Sequence, residues 1–386
     1  MAGGLGISAA FEGGSIEGID ATDPADIRVR LRADTHSPDT HWFHFRLTGA
    51  RGIPCRITIE NSDRMARLAG RDEVPDCWTG YRPFACDDGV TWRRTGAEYA
   101  GGRFSILHTP ATDAVEFAHF PPYSTERHRN LVARLLADDR VRLEVPGQTP
   151  GARDLDLLRL GRRGAGRPKC WIVARQHPGE TMASFFVEGF LERLLDPACG
   201  LARHLLDEAE FFVVPMANPD GCATGNTRTN ARGFNLNRAW AEPDPDLAPE
   251  VVLIRDRMLA EGVDFFLDVH GDEELPYIFL GGPLEIPSRS DRVAALFRRY
   301  QQAQARANPD FRPSDPYPGG APAEADLRMA WNWVGEHFGS LSILLEQPFK
   351  DTTHTPDAGF GWSPARSHAL GRSTLDALAD VLPDLR

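Results

Sequence analysis

The sequence predicts an α/β protein built in two parts. Residues 1–122 are expected to form an N-terminal antiparallel β-sandwich, and residues 123–386 an α/β/α domain on a mixed sheet. Two observations carry this. Up to about residue 122, short alternating or β-branched runs are separated by Gly, Pro, Asp and Asn clusters, the pattern of an antiparallel sandwich or barrel. Beyond that, apolar strand-like runs alternate with longer helical stretches, the pattern of an α/β sheet with covering helices.

In the first part the strands are expected at 27–33, 41–49, 55–61, 102–110 and 114–122. The segment HWFHFRLTG (41–49) alternates aromatic and polar residues, which predicts a strand with one wet face. A helix is expected at 125–138, followed by the polar connection VPGQTPGARDLD. KCWIVAR (169–175) reads as a buried strand. The stretch 180–195 reads as a helix with Phe186, Phe190 and Leu194 at steps of four, flanked by Met182 and Leu191. Strands follow at 210–216, 263–269 and 341–347, with helices at 291–307 and 367–382.

Composition narrows the function classes. At 386 residues, and at roughly 100–200 residues per domain, two or three domains are expected. The chain is 41% hydrophobic and 25% charged, as a globular protein is. No apolar run approaches the ~18–20 residues that cross a bilayer, so no membrane partner is expected. The net charge of −12 argues against a nucleic-acid partner. The N-terminus reads as neither a secretory signal nor a myristoylation site. The six cysteines include no Cys-x-x-Cys pair, so reduced thiols in a cytoplasmic setting are expected.

The chemistry concentrates where strands end. Arg175-Gln176-His177-Pro178-Gly179-Glu180 follows one strand, Asn218-Pro219-Asp220-Gly221 another, Asp268-Val269-His270-Gly271 a third, and Glu346 closes a fourth. The C-terminal ends of strands are where open α/β sheets place their sites. His177 and Glu180, three residues apart, can turn to one face. Two histidines and a carboxylate suit zinc and leave a coordination position for water. Zinc lowers the pKa of such a water towards ~7, and a buried Glu346 would be basic enough to take its proton. The segment 225–240, with Arg228, Asn237 and Arg238, lacks apolar periodicity and reads as a loop. Its arginines offer planar paired donors to a carboxylate.

In chain order the motifs are HPGE, NPDG, GNTR, FNLNRAW, DVHG and LLEQPFKD. Together they resemble the carboxypeptidase A-type zinc metallopeptidases, and among them the cytosolic carboxypeptidase subfamily, whose small N-terminal domain the HWFHFRLTGARG region also resembles. The resemblance implies one zinc ion per chain held by His177, Glu180 and His270. It implies that Glu346 is the catalytic glutamate, that Arg228 polarises the scissile carbonyl, and that Asn237 and Arg238 hold the substrate's C-terminal carboxylate. The implied activity is hydrolysis of a C-terminal residue, glutamate being one candidate, from a peptide or protein.

Some positions depart from the family pattern. Asn235 stands where a histidine-supporting aspartate is usual. The nearest candidate for the family's substrate-covering tyrosine is Tyr317, 29 residues before Glu346. Arg328 is a candidate cation for a glutamate side chain. The alternatives are a zinc-dependent deacylase of N-acyl amino acids and a non-catalytic zinc-binding module. The oligomeric state is left open.

Overall fold

The structure, a computed structural model, describes residues 4–62, 76–164, 166–315, 317 and 322–386. The N-terminal strands pair into two five-stranded sheets. One runs edge to edge through Gly6–Ser8, His44–Thr48, Ala114–Ala118, Phe84–Cys86 and Arg93–Arg94, antiparallel throughout. The other runs through Glu17–Asp20, Ile27–Arg30, Cys55–Ile59, Arg103–His108 and Gly96–Ala100. It is antiparallel except where Ile27–Arg30 lies parallel to Cys55–Ile59. Phe45, Leu47 and Phe117 of the first sheet share a core with Ile57, Ile59 and Phe104 of the second, and His108 meets Phe117 edge-on across the interface.

Two local expectations change. Segment 41–49 has almost no wet face: His41 and His44 are buried with Trp42, Phe43 and Phe45, and only Arg46 of the strand is exposed. Its polar positions carry imidazole rings that pack on other rings, His41 on Trp78 and His44 on Phe11. The polar connection at 145–156 is flanked by two strands the sequence hides, Val141–Glu144 and Leu157–Gly161. They are short, and arginine or glutamate interrupts them.

The seven-stranded sheet has the order Val141–Glu144, Leu157–Gly161, Glu210–Val214, Lys169–Ala174, Phe265–Asp272, Leu341–Pro348, Phe279–Gly281. Its four central neighbours, from Glu210–Val214 to Leu341–Pro348, are parallel, and the flanking pairings are antiparallel. Period-two alternation splits Glu210–Val214, Lys169–Ala174 and Phe265–Asp272 between two cores, and Leu341–Pro348 contributes to the first. Cys170, Ile172, Phe265 and Leu267 face the helices Met182–Leu194, Asp291–Ala307 and Pro364–Val381. Trp171, Val173 and Phe266 face Pro249–Glu261 and Ala330–Phe338. Helix Met182–Leu194 is buried on nearly every side, wider than the stripe its sequence suggests.

That helix crosses Pro364–Val381 at two glycines. A Cβ on Gly189 would lie 2.0 Å from the His368 carbonyl oxygen, and one on Gly371 2.0 Å from that of Phe186. Backbone cannot yield as a flexible side chain can. Gly371→Ala is therefore expected to force the helices apart, at a cost of about 1–3 kcal/mol, read as a lower urea midpoint. Gly200→Ala, whose Cβ would meet only the Arg203 guanidinium at 3.7 Å, is the control with little effect. Equal midpoints for the two variants would contradict the crossing described.

Candidate metal centre and active site

Strand Lys169–Ala174 is stopped by Arg175, whose φ of 60° lies in the left-handed region. A non-glycine residue holds that conformation at a cost of about 1–3 kcal/mol, and only where its surroundings fix it. Here the buried guanidinium donates to Ser184 Oγ at 3.0 Å and to the Pro178 carbonyl at 2.6 Å. The chain thus reverses into a tight turn before helix Met182–Leu194 begins. His177 and Glu180 sit in this turn rather than on the helix, with the Glu180 N–H donating to the His177 carbonyl at 3.3 Å.

The turn meets the next strand through one carboxylate. Glu180 Oε1 is 2.6 Å from His177 Nδ1, and Glu180 Oε2 is 2.8 Å from His270 Nδ1. The three side chains offer ligand atoms within 4.8 Å of one another and are all buried. Each imidazole is oriented from its far side. His177 Nε2 lies 3.0 Å from Asn235 Oδ1, and His270 Nε2 lies 3.0 Å from Asp268 Oδ1. With an ion bound, Nε2–H of each ring would donate to those oxygens and leave both Nδ1 lone pairs for the ion beside Glu180. That donor set fits zinc: two imidazoles and a carboxylate, with both ring tautomers fixed by acceptors.

Asp268 is itself held. Gln176 Nε2 donates to Asp268 Oδ1 at 2.7 Å, while Gln176 Oε1 accepts from Trp240 Nε1 at 2.8 Å. Asn218 donates to the Gln176 carbonyl at 3.1 Å and accepts from the Gly221 N–H, capping the helix Pro219–Thr224.

Burial and charge oppose each other in this cluster. Burial disfavours an imidazolium at His270, yet Asp268 and Glu180 together hold its pKa well above the ordinary value. At His177, burial prevails, aided by the charge of Arg228, and the pKa falls. Burial favours a neutral Glu180, but the two histidines hold its carboxyl well below the usual range. Burial pushes Glu346 well above that range.

Glu346 stands opposite His270 in the parallel register. Its Oε2 is buried without a hydrogen-bond partner among the described residues. It shares a cavity of about 520 Å³ with His177, Glu180, Arg228, Asn237 and Arg238. Asn237 Oδ1 accepts from the Ala330 N–H at 2.8 Å, which leaves its Nδ2, 3.3 Å from His270 Nε2. Arg238 is steadied by donating to the Asn237 carbonyl at 2.7 Å, and burial lowers its pKa to about 10. Tyr317 lines the same cavity beside Phe279. Arg328 does not line it: its guanidinium is exposed and paired with Asp326 at 2.9 Å.

Sequence reasoning quoted Arg175, Gln176 and Asp268 within its motif stretches but gave none of them a supporting role. It also missed Glu250, on helix Pro249–Glu261, which accepts from Asn230 of the arginine-bearing loop at 3.1 Å.

Comparison with known proteins identifies the family. Residues 133–332 match the family described as zinc carboxypeptidase, and residues 7–120 match the cytosolic carboxypeptidase N-terminal domain. An uncharacterized protein of Zymomonas mobilis is 40% identical over 381 residues, covering 99% of this chain and 97% of its own. The metallo-carboxypeptidase of Pseudomonas aeruginosa, solved in complex with (2-guanidinoethylmercapto)succinic acid, superposes with a TM-score of 0.94 at 40% identity. That match covers 99% of this chain and 100% of the other. Mouse cytosolic carboxypeptidase 6 is 26% identical over 307 residues, 72% of this chain; the chain spans 55% of that relative's length.

Burial pushes the Glu250 carboxyl up to about 7 from an ordinary 4.5. The folded state then binds the proton more tightly than the unfolded state. The stabilisation is complete below the unfolded value and is lost as pH rises through the folded one. Glu250→Gln mimics the protonated acid. It is expected to gain stability over the parent at pH 8 on the order of 2–3 kcal/mol, and little at pH 5, in paired thermal melts. An offset independent of pH would reject this assignment.

Proposed function

The chain belongs to the zinc carboxypeptidase family, on its cytosolic carboxypeptidase branch, and from that premise we propose that it removes the C-terminal residue of peptides or proteins with one zinc ion at His177, Glu180 and His270. The observation that carries this reading is the convergence of both Nδ1 atoms on Glu180 in the cavity that also holds Glu346, Arg228, Asn237 and Arg238. Bound zinc would supply a Lewis acid that acidifies a water and polarises the scissile carbonyl.

The side chains then divide the work. Glu346, made basic by burial and with Oε2 unpartnered, takes the water's proton and passes it to the leaving amine. Arg228 donates to the developing oxyanion. Asn237 Nδ2 and the Arg238 guanidinium take the terminal carboxylate, which restricts the enzyme to chain ends. These groups would also accept a succinic acid compound of the kind bound by the Pseudomonas aeruginosa protein. Glutamate remains a candidate terminal residue. With Arg328 paired outside the cavity, Arg312 is the lining cation available to its side chain.

Six free cysteines, five of them buried, support the proposed cytoplasmic setting. No helix among the described residues is long and apolar enough to cross a membrane.

Glu346→Gln is expected to keep stoichiometric zinc by metal analysis and to lose turnover by at least about a hundredfold. The assay is a panel of peptides ending in Glu, Lys, Phe or Ala, run beside N-acyl amino acids. Retained turnover would remove Glu346 from the role of base. Release from the N-acyl amino acids alone would favour a deacylase. Chelation should abolish activity and lower the melting temperature, because the ion binds the folded donor set.

A further inference from the structure

Arg228 lies in a loop with no regular secondary structure, between helix Pro219–Thr224 and the short turn Leu236–Arg238. Such a backbone cannot satisfy its own N–H groups, and buried N–H groups need partners. The partners come from the N-terminal region. Asp34 follows strand Ile27–Arg30 and is only 6% exposed. Its Oδ1 accepts from the Thr227 N–H at 2.5 Å. Its Oδ2 accepts from the Arg228 N–H at 2.8 Å, the Thr229 N–H at 2.9 Å and the Thr229 hydroxyl at 3.0 Å.

The surrounding contacts lead the same way. Thr227 Oγ1 accepts from the N–H groups of His41 and Trp42 at 2.9 and 2.7 Å. Asn226 Oδ1 accepts from the Thr35 N–H at 3.1 Å. The Thr227 carbonyl accepts from the Gly179 N–H at 2.8 Å, inside the turn that carries His177 and Glu180. The Asp34 carboxylate thus grips the backbone of Arg228 and of both its neighbours, and through Thr227 it touches the metal-ligand turn.

We infer that Asp34 is a positioning residue for catalysis: it fixes the backbone of Arg228 so that the guanidinium meets the oxyanion, and the N-terminal region thereby completes the active site of the other. This rests on the reading of Arg228 given above. The carboxylate is required because both its oxygens accept. Asparagine offers one accepting oxygen, and its NH₂ would face an N–H donor. The loss should fall on the transition state, since an oxyanion donor acts there and hardly in substrate binding.

The test uses the zinc-loaded full chain with kcat expressed per bound zinc. Arg228→Gln is expected to lower kcat about a hundredfold or more, and Asp34→Asn about tenfold or more, with KM within threefold of the parent. Asp34→Asn should weaken a phosphonate peptide, which mimics the tetrahedral oxyanion, by a similar factor. It should leave a product-like carboxylate inhibitor unaffected. In the double variant Asp34→Asn should cost nothing beyond Arg228→Gln, because residues acting as one unit are not additive.

Full kcat in Arg228→Gln would sink the reading of Arg228, whatever Asp34 does. Loss in Arg228→Gln with parental kcat per zinc in Asp34→Asn would overturn the inference alone. So would additive losses, which mark a merely structural residue. If Asp34→Asn does not fold, Thr229→Val removes one of the four bonds. It should lower kcat and phosphonate affinity severalfold together, and parental values for both would overturn the inference.

Discussion

One carboxylate shared by two imidazoles sets the terms for the rest of the molecule. Glu180 can lie within hydrogen-bonding distance of both His177 Nδ1 and His270 Nδ1 only if a reversed turn and a parallel strand meet edge to edge. The parallel core provides that meeting, because the strands Lys169–Ala174, Phe265–Asp272 and Leu341–Pro348 are consecutive neighbours ending on the same side. His270 and Glu346 then fall opposite each other by register alone. The strain at Arg175 follows from the same demand: the strand must stop short, and its buried guanidinium locks the reversal to Ser184 and Pro178.

Several features that look separate are links in one chain of support. Trp240 fixes Gln176, Gln176 fixes Asp268, and Asp268 fixes the ring of His270. On the other side Asn235 fixes the ring of His177, and its Oδ1 also accepts the Asn237 N–H at 3.0 Å. The residue proposed to hold a substrate carboxylate is therefore tied, through one amide, to a residue proposed to hold the metal. Each of these bonds restrains the orientation of the next side chain, although Asp268 Oδ2 is buried without a hydrogen-bond partner among the described residues.

Legibility in the sequence followed distance along the chain. His177, Glu180, His270 and Glu346 were legible because each lies beside an apolar run whose end can be read. Burial of the Phe265–Asp272 strand on both faces is written in VDFFLDV. The strands Val141–Glu144, at the edge of the sheet, and Leu157–Gly161, beside it, were not legible, since each is short and charged residues interrupt its apolar run. Asp34 was illegible for a different reason. It sits 194 residues from Arg228, in a stretch of Asp, Thr, His and Ser that reads only as a turn. Nothing local marks an acid whose partners are backbone N–H groups supplied by another part of the fold. The wet face expected of 41–49 failed because histidine counts as polar in a pattern but packs as a ring in a core.

The exchange of an aspartate for Asn235 becomes intelligible as a matter of buried charge. Around the metal position, Glu180 and Asp268 are carboxylates with almost no exposure, at 4% and 0%. A divalent ion balances two such charges. A third carboxylate at position 235 would leave an uncompensated negative charge in the same low-dielectric volume, beside a Glu346 that burial already disfavours as an anion. The amide oxygen still accepts from His177 Nε2 at 3.0 Å, so the ring keeps its orientation and tautomer. What the ring forgoes is charge support, and the two histidines are unlike: Asp268 and Glu180 raise the basicity of His270 against its burial, whereas burial and the charge of Arg228 lower that of His177. Orientation, which an amide supplies as well as an acid, is what His177 requires of position 235; the negative charge that would draw a cation into the cluster comes from Glu180 and Asp268.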